Sequence, residues 1–192
     1  GDYVAARSTY EASLAVYEEI GDQWGRSLPL NALGSVAAAL GDYDTARSRY
    51  EESLTLLRAT ADKRAIALTL ANLAGAMLHQ GGYARAKALL LEGLPLWREV
   101  GFRSGILVCL TGLGLVAAGE GQPERALRLL GAAPAPSTTI GTMVHAIDAA
   151  DIERVVTMLH TQLDPDSYAA AWAAGQALTT DQAITYALEE PA

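Results

Sequence analysis

The chain is poor in the residues that staple, break or anchor a protein. It has one cysteine among 192 residues, Cys109, so no disulfide can close within it, and a lone thiol fits a reducing compartment. Phenylalanine occurs once and tryptophan three times. Basic residues are scarce: 14 Lys and Arg stand against 22 Asp and Glu, a formal net charge of −8. Without a basic stripe, direct nucleic-acid binding by this segment is disfavoured. Long apolar runs are also missing. The apolar, uncharged stretch 104–119 is 16 residues and is interrupted by Gly105, Gly112 and Gly114, whereas a membrane span needs about 20. That stretch reads as a buried helix, and no membrane association is expected. The chain opens without the basic start and apolar core of a secretory leader, which points to the cytoplasm. It begins at Gly1 rather than Met and reads as a fragment of a longer protein.

What is abundant is alanine and leucine, 37 and 28 residues. These are the best helix formers, while the β-branched and aromatic residues that favour strands are sparse. The composition predicts an all-α protein.

The sequence repeats. Gly1-Asp2-Tyr3 returns as Gly41-Asp42-Tyr43, as Gly81-Gly82-Tyr83 and as Gly121-Gln122-Pro123. The offset is 40 residues each time, and 1–40 share 14 identities with 41–80, against a chance level of roughly 3–4 at this composition. After each turn, apolar residues follow at helical spacing: Tyr3, Ala6, Tyr10, Leu14, Tyr17; then Tyr43, Ala46, Tyr50, Leu54, Leu57; then Tyr83, Ala86, Leu90, Leu94, Trp97. The other half of the period carries Leu28, Leu30, Leu33, Val36 and Leu40, with counterparts Leu68, Leu70, Leu73, Met77 and Val108, Leu110, Leu113, Val116. Gly41, Gly81 and Gly121 follow these second patterns, as glycine past a helix end does. Each period is a helical hairpin that buries its apolar face only by stacking on its neighbours. Ala6, Ala46, Ala86 and Ala126, and on the partner helices Gly34, Ala74 and Gly114, are the small residues that permit close approach. Pro29 and Pro95 fall inside expected helices, where proline removes a hydrogen bond; either the helices kink or the first starts late, with Ser27 as its cap.

Leu33-Gly34, Tyr43, Ala46 and Tyr50, in that order, resemble the tetratricopeptide pattern, and Leu73-Ala74, Tyr83, Ala86, Leu90 and Leu113-Gly114, Pro123, Ala126, Leu130 follow it more loosely. The 40-residue period is similar to the long variety found in MalT-like regulators. The resemblance implies a right-handed superhelical α-solenoid of stacked helical hairpins, with a C-terminal helical cap. The expected division is repeats over 1–131 (a half repeat 1–20, then hairpins about 23–59, 62–99 and 103–131), a Pro/Thr-rich loop over 132–145 and the cap over 146–192. In the cap, Ile152, Val155, Val156, Leu159 and Leu163 mark one helix; Asp164-Pro165 starts a second, and Thr179 with Gln182 forms a capping box for a third. Arg128 to Ala133 and Tyr168 to Leu178 resemble motifs that end the repeat array in large bacterial regulators of the LuxR and SARP types. There an ATPase module precedes the repeats, and in LuxR-type members a helix-turn-helix module follows.

Little points to catalysis. His79, His145 and His160 have no second histidine at helical metal-site spacing, Cys109 lies in an apolar helix, and no phosphate-binding loop occurs. No catalytic residue, metal or cofactor is assigned. The expected activity is binding. The tetratricopeptide resemblance places the first helix of each hairpin on a concave face. In that phase lie Asn31, Ser35 and Ala38, then Ala71, Asn72, Gly75, Leu78 and His79, then Thr111, Leu115 and Ala118. The face is nearly uncharged and lacks the basic cluster that clamps a peptide carboxylate. Trp24, which the repeat does not require, is a further contact residue. The function expected is a non-enzymatic sensor or interaction segment of a bacterial transcriptional regulator, taking a protein, a peptide or a small inducer in the groove; the alternative is a free-standing scaffold that assembles protein partners. The Tyr3–Tyr17 helix lacks its hairpin partner, so self-association through it is expected.

Overall fold

A computed structural model describes residues 2–133, 147 and 149–189. It contains ten helices among the described residues: α1 Tyr3–Glu19, α2 Gln23–Ala39, α3 Tyr43–Leu57, α4 Lys63–His79, α5 Tyr83–Glu99, α6 Arg103–Gly119, α7 Pro123–Ala132, α8 Ala149–Gln162, α9 Pro165–Gln176 and α10 Thr180–Leu188. No strand occurs among these residues. The expected Pro/Thr-rich loop, from Pro134 onward, and His145 lie outside them.

Local chemistry fixes the joints. Gly21, Gly41, Gly81, Gly101 and Gly121 all have φ between 67 and 78°, a left-handed conformation that costs glycine nothing. The next residue's N–H then reaches back to close the helix, as Asp42 does to Ala37 O at 2.9 Å and Gln122 to Ala117 O at 2.8 Å. The joint between α3 and α4 has no glycine. There the Thr60 hydroxyl donates to Leu57 O and accepts from Asp62 N–H. Asp2, Asp22, Asp42 and Asp62 cap the helices that follow, each accepting from the N–H three residues on. α2 therefore begins at Gln23 under the Asp22 cap, which corrects the alternative of a late start at Ser27. Both Pro29 and Pro95 sit within their helices, and the Ser27 carbonyl accepts from buried Ser53 across the hairpin at 2.8 Å.

The hairpins α2–α3, α4–α5 and α6–α7 stack in register to form an α-solenoid. α2, α4 and α6 lie side by side as an inner layer, with α3, α5 and α7 behind them. Ala46, Ala86 and Ala126 are fully buried at equivalent seams, with Tyr50 and Leu90 beside the first two. Large residues face small ones: a Cβ on Gly34 would lie 2.6 Å from the Tyr50 ring, and one on Gly114 would lie 2.8 Å from Leu130. α1 is different. It packs on α2 but has no buried residue.

The tail closes the far end. α9 crosses α7 so closely that an added Cβ on Gly175 would meet Arg128 O at 2.3 Å, and one on Gly131 would meet Trp172 O at 2.7 Å. Arg125 donates to the last carbonyls of α10, Ala187 and Glu189 among them, and Thr179 with Gln182 forms the expected capping box. α8 does not stay at that end: it turns back to pack against α6 as well as α7.

Candidate functional site

The inner layer has two halves. In the first, polar side chains bridge α2 and α4. Asn31 Nδ2 donates to Thr69 Oγ1 at 2.7 Å, and Asn72 Nδ2 donates to Asn31 Oδ1 at 3.1 Å. The Thr69 hydroxyl donates to Ala65 O at 2.9 Å, so the chain of donors runs one way. Ser35, one turn beyond Asn31, donates to the Asn31 carbonyl and accepts from the Tyr50 hydroxyl, both at 3.2 Å. Burial pushes the Tyr50 phenol up to about 12, against the opposing effect of that Ser35 contact. At the end of the network Asn72 is only 1% exposed, and its Oδ1 has no hydrogen-bond partner. Asn31, Ser35 and Asn72, all expected here, come together with Thr69, Leu28 and Leu68 in an open cleft of about 540 Å³. None of its lining residues is charged. Leu28, read from sequence as part of a core stripe, is 47% exposed in this cleft. Thr69 was missed because a mid-helix threonine carries no local mark of an interhelical bond.

The second half is covered. Thr111 and Leu115 are each 7% exposed, and Gly75 is buried. Ile147 from the tail packs into a cluster with Ala71, Val108 and Leu115, flanked by Leu68, Leu78, Ile152 and Val155. A Cβ on Gly112 would lie 3.2 Å from Ile147 Cδ1. The open groove expected along all three inner helices is therefore corrected: α4 and α6 present small and aliphatic surface, and the chain's own β-branched residues remove it from water.

His79 marks the edge of this covered half. Its ring stacks on Tyr43 at 4.3 Å and 10°, and its Nε2 lies 3.2 Å from Asp151 Oδ2 of α8. Those side chains are 22% and 14% exposed. Arg154 also pairs with Asp151. Around them opens a second pocket of about 440 Å³, lined by Leu78, Tyr83, Leu115, Val155 and Met158 among others. No sequence spacing could reveal this pair, because its members lie 72 positions apart.

Trp24 is 47% exposed at the start of α2 and lines neither pocket. Cys109 is fully buried, and burial pushes its thiol up to about 12, the opposite of what a reactive thiolate needs. His160 rests against Tyr168. Among the described residues, no group of three or more His, Cys, Asp or Glu could hold a metal ion, and no helix is long and apolar enough to cross a membrane.

Two family models match the chain. Both describe a tetratricopeptide repeat, one over residues 1–59 and the other over 66–100. No match was found among curated proteins. The α2–α3 hairpin lies within the first span and most of α4–α5 within the second, and these two spans form a tetratricopeptide repeat region, a module for protein interaction.

Proposed function

We propose that the α2–α4 cleft receives an uncharged segment of a partner protein, and that the chain is a non-enzymatic sensor module of a cytoplasmic bacterial transcriptional regulator. The observation that carries the binding reading is the Asn72 carbonyl oxygen. It is a buried acceptor without a donor, a state that costs about 1–3 kcal/mol, on a residue that lines a mostly apolar cleft with no charge. Leu28 and Leu68 take an aliphatic side chain of the segment, and a backbone N–H of the segment supplies the missing donor once the Asn72 side chain turns out toward the cleft. The regulator context is supported by the tail motifs, which resemble those that end such arrays.

The test is display of random peptides against the whole chain. Enriched peptides should be uncharged and rich in aliphatic residues, and Leu28→Glu should weaken them at least tenfold. Leu28 is exposed, so the substitution leaves the fold intact. No enrichment, or binding indifferent to Leu28→Glu, overturns the reading.

Tyr3, Ala6 and Tyr10 of α1 border the same cleft, and a second copy of the chain meets this helix. Tyr10 is 36% exposed there, whereas Tyr50 and Leu90, at the same repeat position, are fully buried.

A further inference from the structure

The covered half of the groove shows what it selects. Ile152, Val155, Val156 and Leu159 recur at helical spacing on α8, and Ile147 precedes them in the same apolar cluster. Ile147, Ile152 and Val155 meet Ala71, Val108 and Leu115, an aliphatic seat that admits a helix with β-branched side chains, while Val156 and Leu159 pack into the main core. Asp151, one turn from Val155, reaches His79 at the rim. We propose that the α4–α6 half of the groove is a docking site for an amphipathic helix with an aliphatic β-branched stripe and a flanking carboxylate. α8 is its resident occupant, and a partner helix of the same chemistry binds by displacing it. This inference rests on the reading of the inner layer as a binding surface and adds how half of it is regulated.

Three observations make α8 displaceable. First, it is lightly held. Leu159 is its only buried residue, whereas α6 beneath it has thirteen. Second, its neighbour in sequence is not. α9 meets α7 backbone to backbone through Gly131 and Gly175, so α8 can leave while the end of the solenoid stays closed. Third, the seat is underfilled. The pocket of about 440 Å³ beside Val155 and Met158 leaves room for bulkier side chains on a competing helix. Covalent attachment holds α8 at an effective concentration on the order of millimolar. A partner with larger residues at the positions of Val155 and Met158 gains contacts that α8 lacks.

The probe is a fluorescein-labelled peptide of residues 147–163, titrated with the whole chain. In Ile147→Asp/Val155→Asp, the resident helix loses its stripe. That variant should bind the peptide at least tenfold more tightly than the original chain, and a further Leu115→Glu in the seat should abolish the gain. Equal affinity of the original and unseated chains, or binding that survives Leu115→Glu, overturns the proposal. Native-state hydrogen exchange on the unaltered chain tests the same point without mutation. Amides of 149–162 should be protected at least tenfold less than those of α6 and α9, and equal protection overturns displacement. A display ligand that depends on Leu28, with no effect of unseating, defeats this inference and keeps the open cleft. Gain on unseating without any display ligand does the reverse.

Discussion

Gly34 and Gly93 both lie inside helices and both are buried, yet alanine at the two positions should shift stability in opposite directions. In a helix interior, Gly→Ala gains about 0.8–1.0 kcal/mol from backbone entropy alone. At Gly93 of α5, the nearest atoms to an added Cβ, Ala67 O and Leu70 Cβ, are 3.7 Å away, an ordinary contact. Gly93→Ala should therefore stabilise by about the full gain. At Gly34 of α2, the new methyl would lie 2.6–3.0 Å from three atoms of the Tyr50 ring. That ring is fully buried and its hydroxyl is tied to Ser35, so it cannot swing aside. Overpacking of this kind costs about 1–3 kcal/mol, which leaves Gly34→Ala about 0–2 kcal/mol less stable than the parent. The chain already contains the resolved version of the conflict, because the next repeat places Ala74 and Leu90 at these positions, both buried. In a Tyr50→Leu background, Gly34→Ala should thus recover most of the helical gain, although Tyr50→Leu itself is destabilising. Urea unfolding of the four proteins of this cycle, with Gly93→Ala as the reference, measures the coupling. If Gly34→Ala stabilised as much as Gly93→Ala regardless of residue 50, the large-to-small seam would be the wrong account of how the hairpins close.

Alkali should weaken the fold. The neutral Cys109 thiol and Tyr50 phenol contribute stability fully below their unfolded pKa values near 9 and 10, and that contribution is lost as pH rises toward about 12. The urea midpoint should fall between pH 9 and 11, and fall less steeply in Cys109→Ala; identical slopes would remove Cys109 from the explanation. At the N-terminal end, light scattering at high concentration should show self-association that Tyr10→Asp disrupts. A monomer in both proteins would leave α1 without the partner proposed for it.

The repeat was legible because its determinants are local. Gly-Asp at a joint, a tyrosine one residue later and apolar spacing of three and four each act within one turn of the chain, and the alanine seams followed from the period. The capping box at Thr179 and the Asp164-Pro165 start were read correctly for the same reason. Gly21 and Gly101 close helices by the same device as Gly41, yet the alignment on 40 residues hid a joint that recurs every 20. Proline left two readings open, and the Asp22 cap decides against the late start: α2 runs from Gln23 through Pro29. The groove was only half legible. Asn31, Ser35 and Asn72 share the open cleft. Gly75, Thr111 and Leu115 fall in a half that the tail covers, and that placement depends on contacts between residues far apart in sequence. The aliphatic stripe of Ile152, Val155 and Leu159 was visible, but a stripe does not say which surface it will meet.

The joints carry a consequence for how such a chain can grow. The glycine closure within the α2–α3 hairpin is the same as the closure between α1 and α2 or between α5 and α6. At these five joints the chain thus makes no distinction between folding back inside a unit and passing on to the next. Forty residues inserted at any of these five points, if they carry the same spacing, present an inner helix to an inner helix and an outer to an outer. Length is then free to vary while curvature and seam chemistry persist, and only the end that α9 and α10 close is fixed in place. An array of this kind can adjust the number of side chains along its groove without redesigning a single turn.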